Sequence, residues 1–434
     1  MKKILALLLT VFISYPAFGL NLNESLQIAY KQNPSILAAQ KKVEALRGSL
    51  LQATGAFFPN LRVSASTGQT YQKPSEVQLE TPVGPQRYVM GVDAQIPTRN
   101  LSFTLSQPLF TGGKLFSSLN IAQNNFKIAS EDLRSKILSV NFDTTSAYLG
   151  LIKAQKLVDL SNQFYLMAKN HFDQAQTMFN VGISTKSDVL RSQVQLVNSE
   201  ISLSKAKNGL VIAQNILNNV MGNPIGAQVV VDQSDFCATC PPPPSFETII
   251  GAAYLYRPDW IEFQTTKEIA KNNVTIARSD LLPAVSAVGN YGTSYSQYPT
   301  YSTDVNTWSA LLSASWDILD IRIPGRVQEA QANLEAQNAN ETALKNNIAM
   351  ELKNAHLNLQ LTIDTIASTQ KAVDLAQENY KAATIRYGAG VATNLDVIDA
   401  ESSLRQAQTD NLNAQFDMQV AKAKINQLVG KEIL

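Results

Sequence analysis

The hydrophobic pattern of this chain changes period twice and then repeats the change. Beyond residue 115, Leu119, Ala122, Phe126, Ala129, Leu133 and Ile137 recur in steps of three and four, a heptad-like seam on one helix face. The seam returns at Leu344, Ile348, Leu352, Ala355, Leu359 and Ile363. No proline falls between residues 109 and 223 or after Pro324, so neither run is interrupted. Elsewhere the period is two. Leu61, Val63 and Ala65 alternate with Arg62, Ser64 and Ser66, and Leu101, Phe103 and Leu105 alternate with Ser102, Thr104 and Ser106. In the second half Trp308, Ala310, Leu312, Ala314 and Trp316 share one face, and Val285, Ala287, Tyr291 and Tyr295 form another run. The pattern predicts four strands, two per half, each pair joined by a Pro- and Tyr-rich loop at residues 73–87 and 298–304. An apolar, aromatic-bearing face opposite one of Ser, Thr, Asn and Gly is the alternation of an outer-membrane strand.

The two halves are duplicates. Asn33-Pro34 and Phe58-Pro59 answer Arg257-Pro258 and Leu282-Pro283 at an offset of 224, while Gly182, Thr185 and Asp188 answer Gly390, Thr393 and Asp396 at 208. The first half therefore carries 16 residues more between its proline and its long helix. The organisation expected is a leader at 1–19, a first repeat at 20–232 with its hairpin at 60–110, a Cys- and Pro-rich linker at 233–245, and a second repeat at 246–434 with its hairpin at 284–318. Each repeat reads as a helix of about 35 residues (24–57 and 246–281), a hairpin, a helix of over 60 residues, a glycine turn and another helix of about 35. At 1.5 Å rise per residue the long helix spans on the order of 95–100 Å. Two shorter helices stacked end to end match it, which puts the hairpins at one end of a helical body and the Gly182 and Gly390 turns at the other. Four strands cannot close a barrel, since the smallest membrane barrels use about eight. A membrane-embedded sheet of this size forces several copies to share one barrel.

Composition refines the picture. Lys2 and Lys3 precede an apolar run and an Ala17-Phe18-Gly19 cleavage site, the layout of a secretory leader. No Cys follows that site, and no later stretch is long and apolar enough for a membrane helix. The chain has 36 basic and 35 acidic residues, only 16% charged in all, and shows no basic patch for nucleic acid. Asn and Gln together number 67, nearly matching the 71 charged positions, so much of the polar surface is neutral amide. No phosphate loop, His-Glu metal motif or nucleophile elbow occurs. The expectation is a protein that is not an enzyme and holds no cofactor or metal.

The duplicated frame, the run Gln107-Pro108-Leu109-Phe110-Thr111-Gly112-Gly113 after the first hairpin, and the distal run from Tyr387 through Gly390, Thr393, Leu395, Asp396 and Asp399 to Ala400 resemble the TolC family of outer-membrane efflux channels. The resemblance implies a mainly α fold with a β-barrel part: a homotrimer whose twelve strands form one barrel in outer-membrane lipid, continued by an α-barrel of antiparallel coiled-coil helices across the periplasm. It also implies a closed distal end that opens when a periplasmic adaptor (membrane fusion) protein and an inner-membrane RND or ABC transporter dock. Small toxic compounds are the expected cargo. Secreted polypeptides, as in a type I exporter, are the alternative, and a soluble periplasmic coiled-coil scaffold is a more remote reading, opposed by the alternating hairpins. Two positions depart from the family pattern. Trp316-Asp317-Ile318-Leu319-Asp320 stands where a Pro-Leu-Phe-like run is usual, and Ala392 stands where some members carry an arginine that helps lock the tip.

The resemblance also implies that Asp396 and Asp399 line the constriction and that Tyr387 bonds Asp188 on a neighbouring helix pair. Three copies would crowd six carboxylates into a ring that attracts cations. The residues alone keep a second reading open, because Thr185-x-x-Asp188 and Thr393-x-x-Asp396 are close to capping boxes and first-turn carboxylates favour a helix dipole. Asp399 is no repeated cap, since its counterpart is Arg191. Gly182 and Gly390 read as positive-φ helix ends, and the resemblance adds adaptor docking at these turns, Thr185 and Thr393 included. Cys237 and Cys240 have redox-motif spacing, but within a Pro-rich linker a short-loop disulfide fits export better; metal or redox use is the alternative. His171 and His356 read as packing or lumen residues.

Overall fold

The computed structural model describes residues 20–91, 93–232 and 244–433. The leader and the Cys237–Cys240 pair lie outside the described residues. Helices come in four pairs of equal length in the same order: α1 (Leu22–Gln32) and α5 (Phe246–Tyr256), α2 (Pro34–Gly55) and α6 (Pro258–Ser279), α3 (Lys114–Asn180) and α7 (Arg322–Gly388), α4 (Lys186–Met221) and α8 (Asn394–Val429). The long members have 67 residues each and the returning members 36 each.

The expected 35-residue helices at 24–57 and 246–281 are each two helices. Asn33 and Arg257 leave the helical region, with ψ of 122° and 121°, because the proline Cδ after them clashes with an α conformation. Both breaks are seated on other groups. The Asn33 amide donates to the Val220 carbonyl at 2.7 Å, and Arg257 binds Asp259 and Glu351 at 2.7 Å each. Two C-cap glycines meet the same breaks. Gly222 (φ +80°) and Gly430 (φ +82°) close α4 and α8 in the left-handed conformation. A Cβ on Gly222 would lie 2.7 Å from the Gln32 carbonyl oxygen, and one on Gly430 would strike that of Tyr256.

The chain divides into two compact units. One comprises the described parts of 1–42, 130–262 and 343–434. Its core has two main clusters, one around Ile36, Tyr148, Leu151, Leu217 and Met221, the other around Ile249, Ile348, Leu352, Met418 and Ile425. The fully buried Tyr148 donates its hydroxyl to the carbonyls of Leu20 and Asp232 at 3.2 and 3.0 Å, beside the short bridge of Leu20 with Val231. His356, 208 positions after Tyr148, is also buried, 6.2 Å from the Phe246 ring.

The other unit comprises 43–129 and 263–342. Its main sheet has the order β1-β4-β5-β6, all antiparallel, from β1 (Asn60–Gln72), β4 (Ala94–Phe110), β5 (Ala284–Gln297) and β6 (Ser302–Ser315). The register pairs Val63 with Phe103, Phe103 with Tyr291 and Tyr291 with Trp308, so the apolar residues of all four strands lie on one face. A second hairpin, β2 (Ser75–Thr81) with β3 (Gly84–Met90), occupies the segment expected as a Pro- and Tyr-rich loop. With its two-residue turn it accounts for the 16 extra residues of the first half. Among the described residues β1 and β6 each pair on one side only.

Candidate gate at the glycine turns

Both long helices end in the same way. The Ile183 N–H reaches back to the Met178 carbonyl at 2.8 Å and Val391 to Arg386 at 3.0 Å, Schellman closures that need a left-handed residue. Gly182 (φ +80°) and Gly390 (φ +73°) supply it. The chain then restarts in a capping box. Thr185 accepts from the Asp188 amide and returns its own N–H to the Asp188 carboxylate at 3.1 Å. Thr393 and Asp396 do the same, with the returned bond at 2.7 Å. These bonds hold both carboxyls below their ordinary range, the Thr185 hydroxyl acting most on Asp188 and the Thr393 amide most on Asp396. Asp396 and Asp399 are exposed. Among the described residues, the Asp399 carboxylate has no hydrogen bond or ion pair.

Within one chain, among the described residues, Tyr387 makes no hydrogen bond to Asp188, whose Oδ2 accepts from Thr185 and from Ser184 at 3.2 Å. Instead Tyr387 packs with Ala383, Val397 and Ala400, its ring 5.2 Å from that of His171. Its hydroxyl is buried, and burial pushes its pKa up, opposed by the nearby Ser184 side chain.

Behind the turns lies a buried polar network that the sequence did not mark. Asn394, the first residue of α8, faces His171 Nε2 at 2.6 Å, accepts from Ser192 at 3.1 Å and donates to the Asp188 carbonyl at 2.9 Å. The Asn394 oxygen can only accept, so His171 Nε2 carries the proton. Burial lowers the His171 pKa, opposed by the bond to Asn394. Further along, Gln195 donates to Glu401 at 3.1 Å. Glu401 is buried, its second oxygen has no hydrogen-bond partner among the described residues, and burial pushes its carboxyl up. A signal existed: Val189, Ser192, Ser199 and Leu203 share the buried face of α4, and polar residues at seam spacing announce an internal polar contact.

A sheet with one apolar face and two free edges, joined to long helices with turns capped in duplicate, defines the class of an outer-membrane channel subunit. Residues 25–223 and 250–431 match the family described as "Outer membrane efflux protein", and the chain belongs to that family. It is 20% identical to "Outer membrane protein TolC" of Vibrio cholerae serotype O1 over 99% of this chain and 96% of that one. It is 22% identical to "Alkaline protease secretion protein AprF" of Pseudomonas aeruginosa over 95% of this chain and 85% of that one. The solved structure of the outer membrane protein VceC from Vibrio cholerae superposes with a TM-score of 0.79 at 18% identity, covering 95% of this chain and 97% of the other. The protein is thus a TolC-family efflux channel component of the outer membrane, mainly helical with a β part.

Proposed function

We propose that this chain is the passive exit duct of a tripartite efflux system, carrying small toxic compounds outward without covalent chemistry. The observation that carries this reading is the pair of free edges on β1 and β6, 13 and 14 residues long. Four strands are about half the smallest single-chain barrel, and three copies give the twelve strands that the family resemblance implies. A periplasmic adaptor and an inner-membrane RND or ABC transporter would complete the path. Residues 20–232 and 246–434 would then be two structural repeats behind a cleaved leader at 1–19, with Cys237 and Cys240 closed as a disulfide.

The turns at Gly182 and Gly390, with Thr185 and Thr393, are the proposed adaptor-docking surface. The exposed Val181, Ile183, Val391 and Leu395 around them support a partner with an apolar tip. Asp396 and Asp399 are the proposed constriction, with Tyr387 and Asp188 as its neighbours. Replacing both by Ala should weaken cation block in single-channel recordings, and Asp399→Ala alone should do so without disturbing a cap. Unchanged block in both variants removes the ring from the mechanism.

The similarity to AprF favours a second reading, secretion of a polypeptide. A deletion strain scored for drug susceptibility and for secreted protein separates the two. Raised susceptibility with normal secretion supports efflux; lost secretion with normal susceptibility supports the exporter.

A further inference from the structure

The segment that departs from the family pattern, Trp316 to Ile321, joins β6 to α7 and is unusually apolar for a loop. Leu319 is 91% exposed, Ile321 86% and Ile318 77%, and Leu319 exceeds every other large apolar side chain among the described residues. Isolated exposed leucines need no explanation, but three in four positions form a patch. The patch is also held in shape. The Asp320 carboxylate accepts from the Arg322 backbone N–H at 2.9 Å and from its guanidinium at 2.8 and 3.0 Å. Arg326 adds a contact to Asp320 at 3.4 Å and binds Asp280 at 2.6 Å. The Trp316 indole N–H donates to the Leu281 carbonyl at 3.1 Å.

The geometry points to the phospholipid leaflet at the strand-to-helix end of the barrel as the occupant: we infer that this loop is a built-in interfacial anchor, with Ile318, Leu319 and Ile321 set among the acyl chains next to the headgroups. Three observations support lipid. First, Trp308, Leu312 and Trp316 share strand parity and are all exposed, so the apolar face runs unbroken to the loop. Second, the eight residue steps from Trp308 to Trp316, which lies just past the end of β6, span about 26 Å at strand rise, close to the height of a membrane barrel's apolar band and its flanking aromatic girdles. Third, Asp320 is neutralised by its arginine fork, and the Arg322 side chain, though engaged by Asp320, stays 82% exposed, so its remaining N–H groups face outward toward a lipid phosphate; Asp317 is the exposed carboxylate of the segment. A neighbouring copy pairing with β6 would lie along the strand edge, in the plane of the sheet, whereas Trp308, Leu312 and Trp316 project from its face.

Trp316 is its own probe. In full-length protein carrying Trp260→Phe and Trp308→Phe it is the remaining tryptophan among the three of the sequence. Reconstituted in phosphatidylcholine brominated near the glycerol end of the acyl chains, this protein should lose most of its tryptophan emission, and it should lose less with bromine at the chain terminus. Emission that is equal in brominated and plain lipid overturns the inference. Adding Ile318→Ser, Leu319→Ser and Ile321→Ser should red-shift the emission and abolish shallow quenching while the oligomer persists on an unheated gel. Loss of the oligomer with quenching intact would instead assign these side chains to contacts between copies and also overturn it.

Discussion

Asp188 and Asp396 show how one side chain serves two readings. Each carboxylate closes a capping box within its own helix end, a role the Thr-x-x-Asp spacing made legible. Thr185→Ala or Thr393→Ala should each cost about 1 kcal/mol, measured by hydrogen exchange at the turn. The pH dependence follows from the lowered carboxyl pKa values. The caps contribute fully above the ordinary carboxylate value near 3.8 and lose that contribution as pH falls through the lower folded values, so acid should open the turns first. Glu401 has the opposite sign. Its pKa is raised from 4.5, so its contribution is complete below that value and is lost as pH rises through the folded one. Glu401→Gln should therefore be neutral in melts near pH 4 and stabilising at pH 8, by about 1–3 kcal/mol for a buried charge with an unpartnered oxygen. Equal melting shifts at both pH values would remove Glu401 as a titrating group. The network of His171, Asn394 and Ser192 escaped the sequence reading because it joins three helices, and a single helix periodicity does not report which polar residues meet across a seam.

At the scale of elements, the long helices and the four sheet strands were legible because each buries or exposes one consistent face. The proline breaks were not. Asn33-Pro34 and Arg257-Pro258 served as repeat markers, yet each flanking segment was read as one helix of about 35 residues; backbone exclusion before proline breaks it. The β2–β3 hairpin was missed for another reason. Nearly all of its residues are exposed on both faces, so no burial imposes the alternation by which strands are recognised. The breaks make the C-cap glycines sharply unequal to those of the turns. A Cβ on Gly182 would meet nothing within 4 Å, so Gly182→Ala should cost only the left-handed backbone penalty, about 1–2 kcal/mol. Gly430→Ala adds a collision with the Tyr256 carbonyl and should cost more, with a correspondingly larger fall in Tm. Equal falls would mean that the α5–α6 break yields without resistance.

For the whole molecule, duplication and alternation carried the fold class. What one chain could not disclose is what completes its sheet, because edge hydrogen bonds leave no mark on side-chain chemistry. That incompleteness has a genetic consequence. A subunit with proline at an outward N–H of β1, which cannot accept a neighbour there, would keep a sound β6 and still recruit normal subunits. In the proposed closed ring of three, equal co-expression would leave about one assembly in eight free of damaged copies. Such an allele should be dominant-negative: efflux measured by dye retention should fall far below half of normal, and a loss of only half would mean that the defective copy never enters the ring.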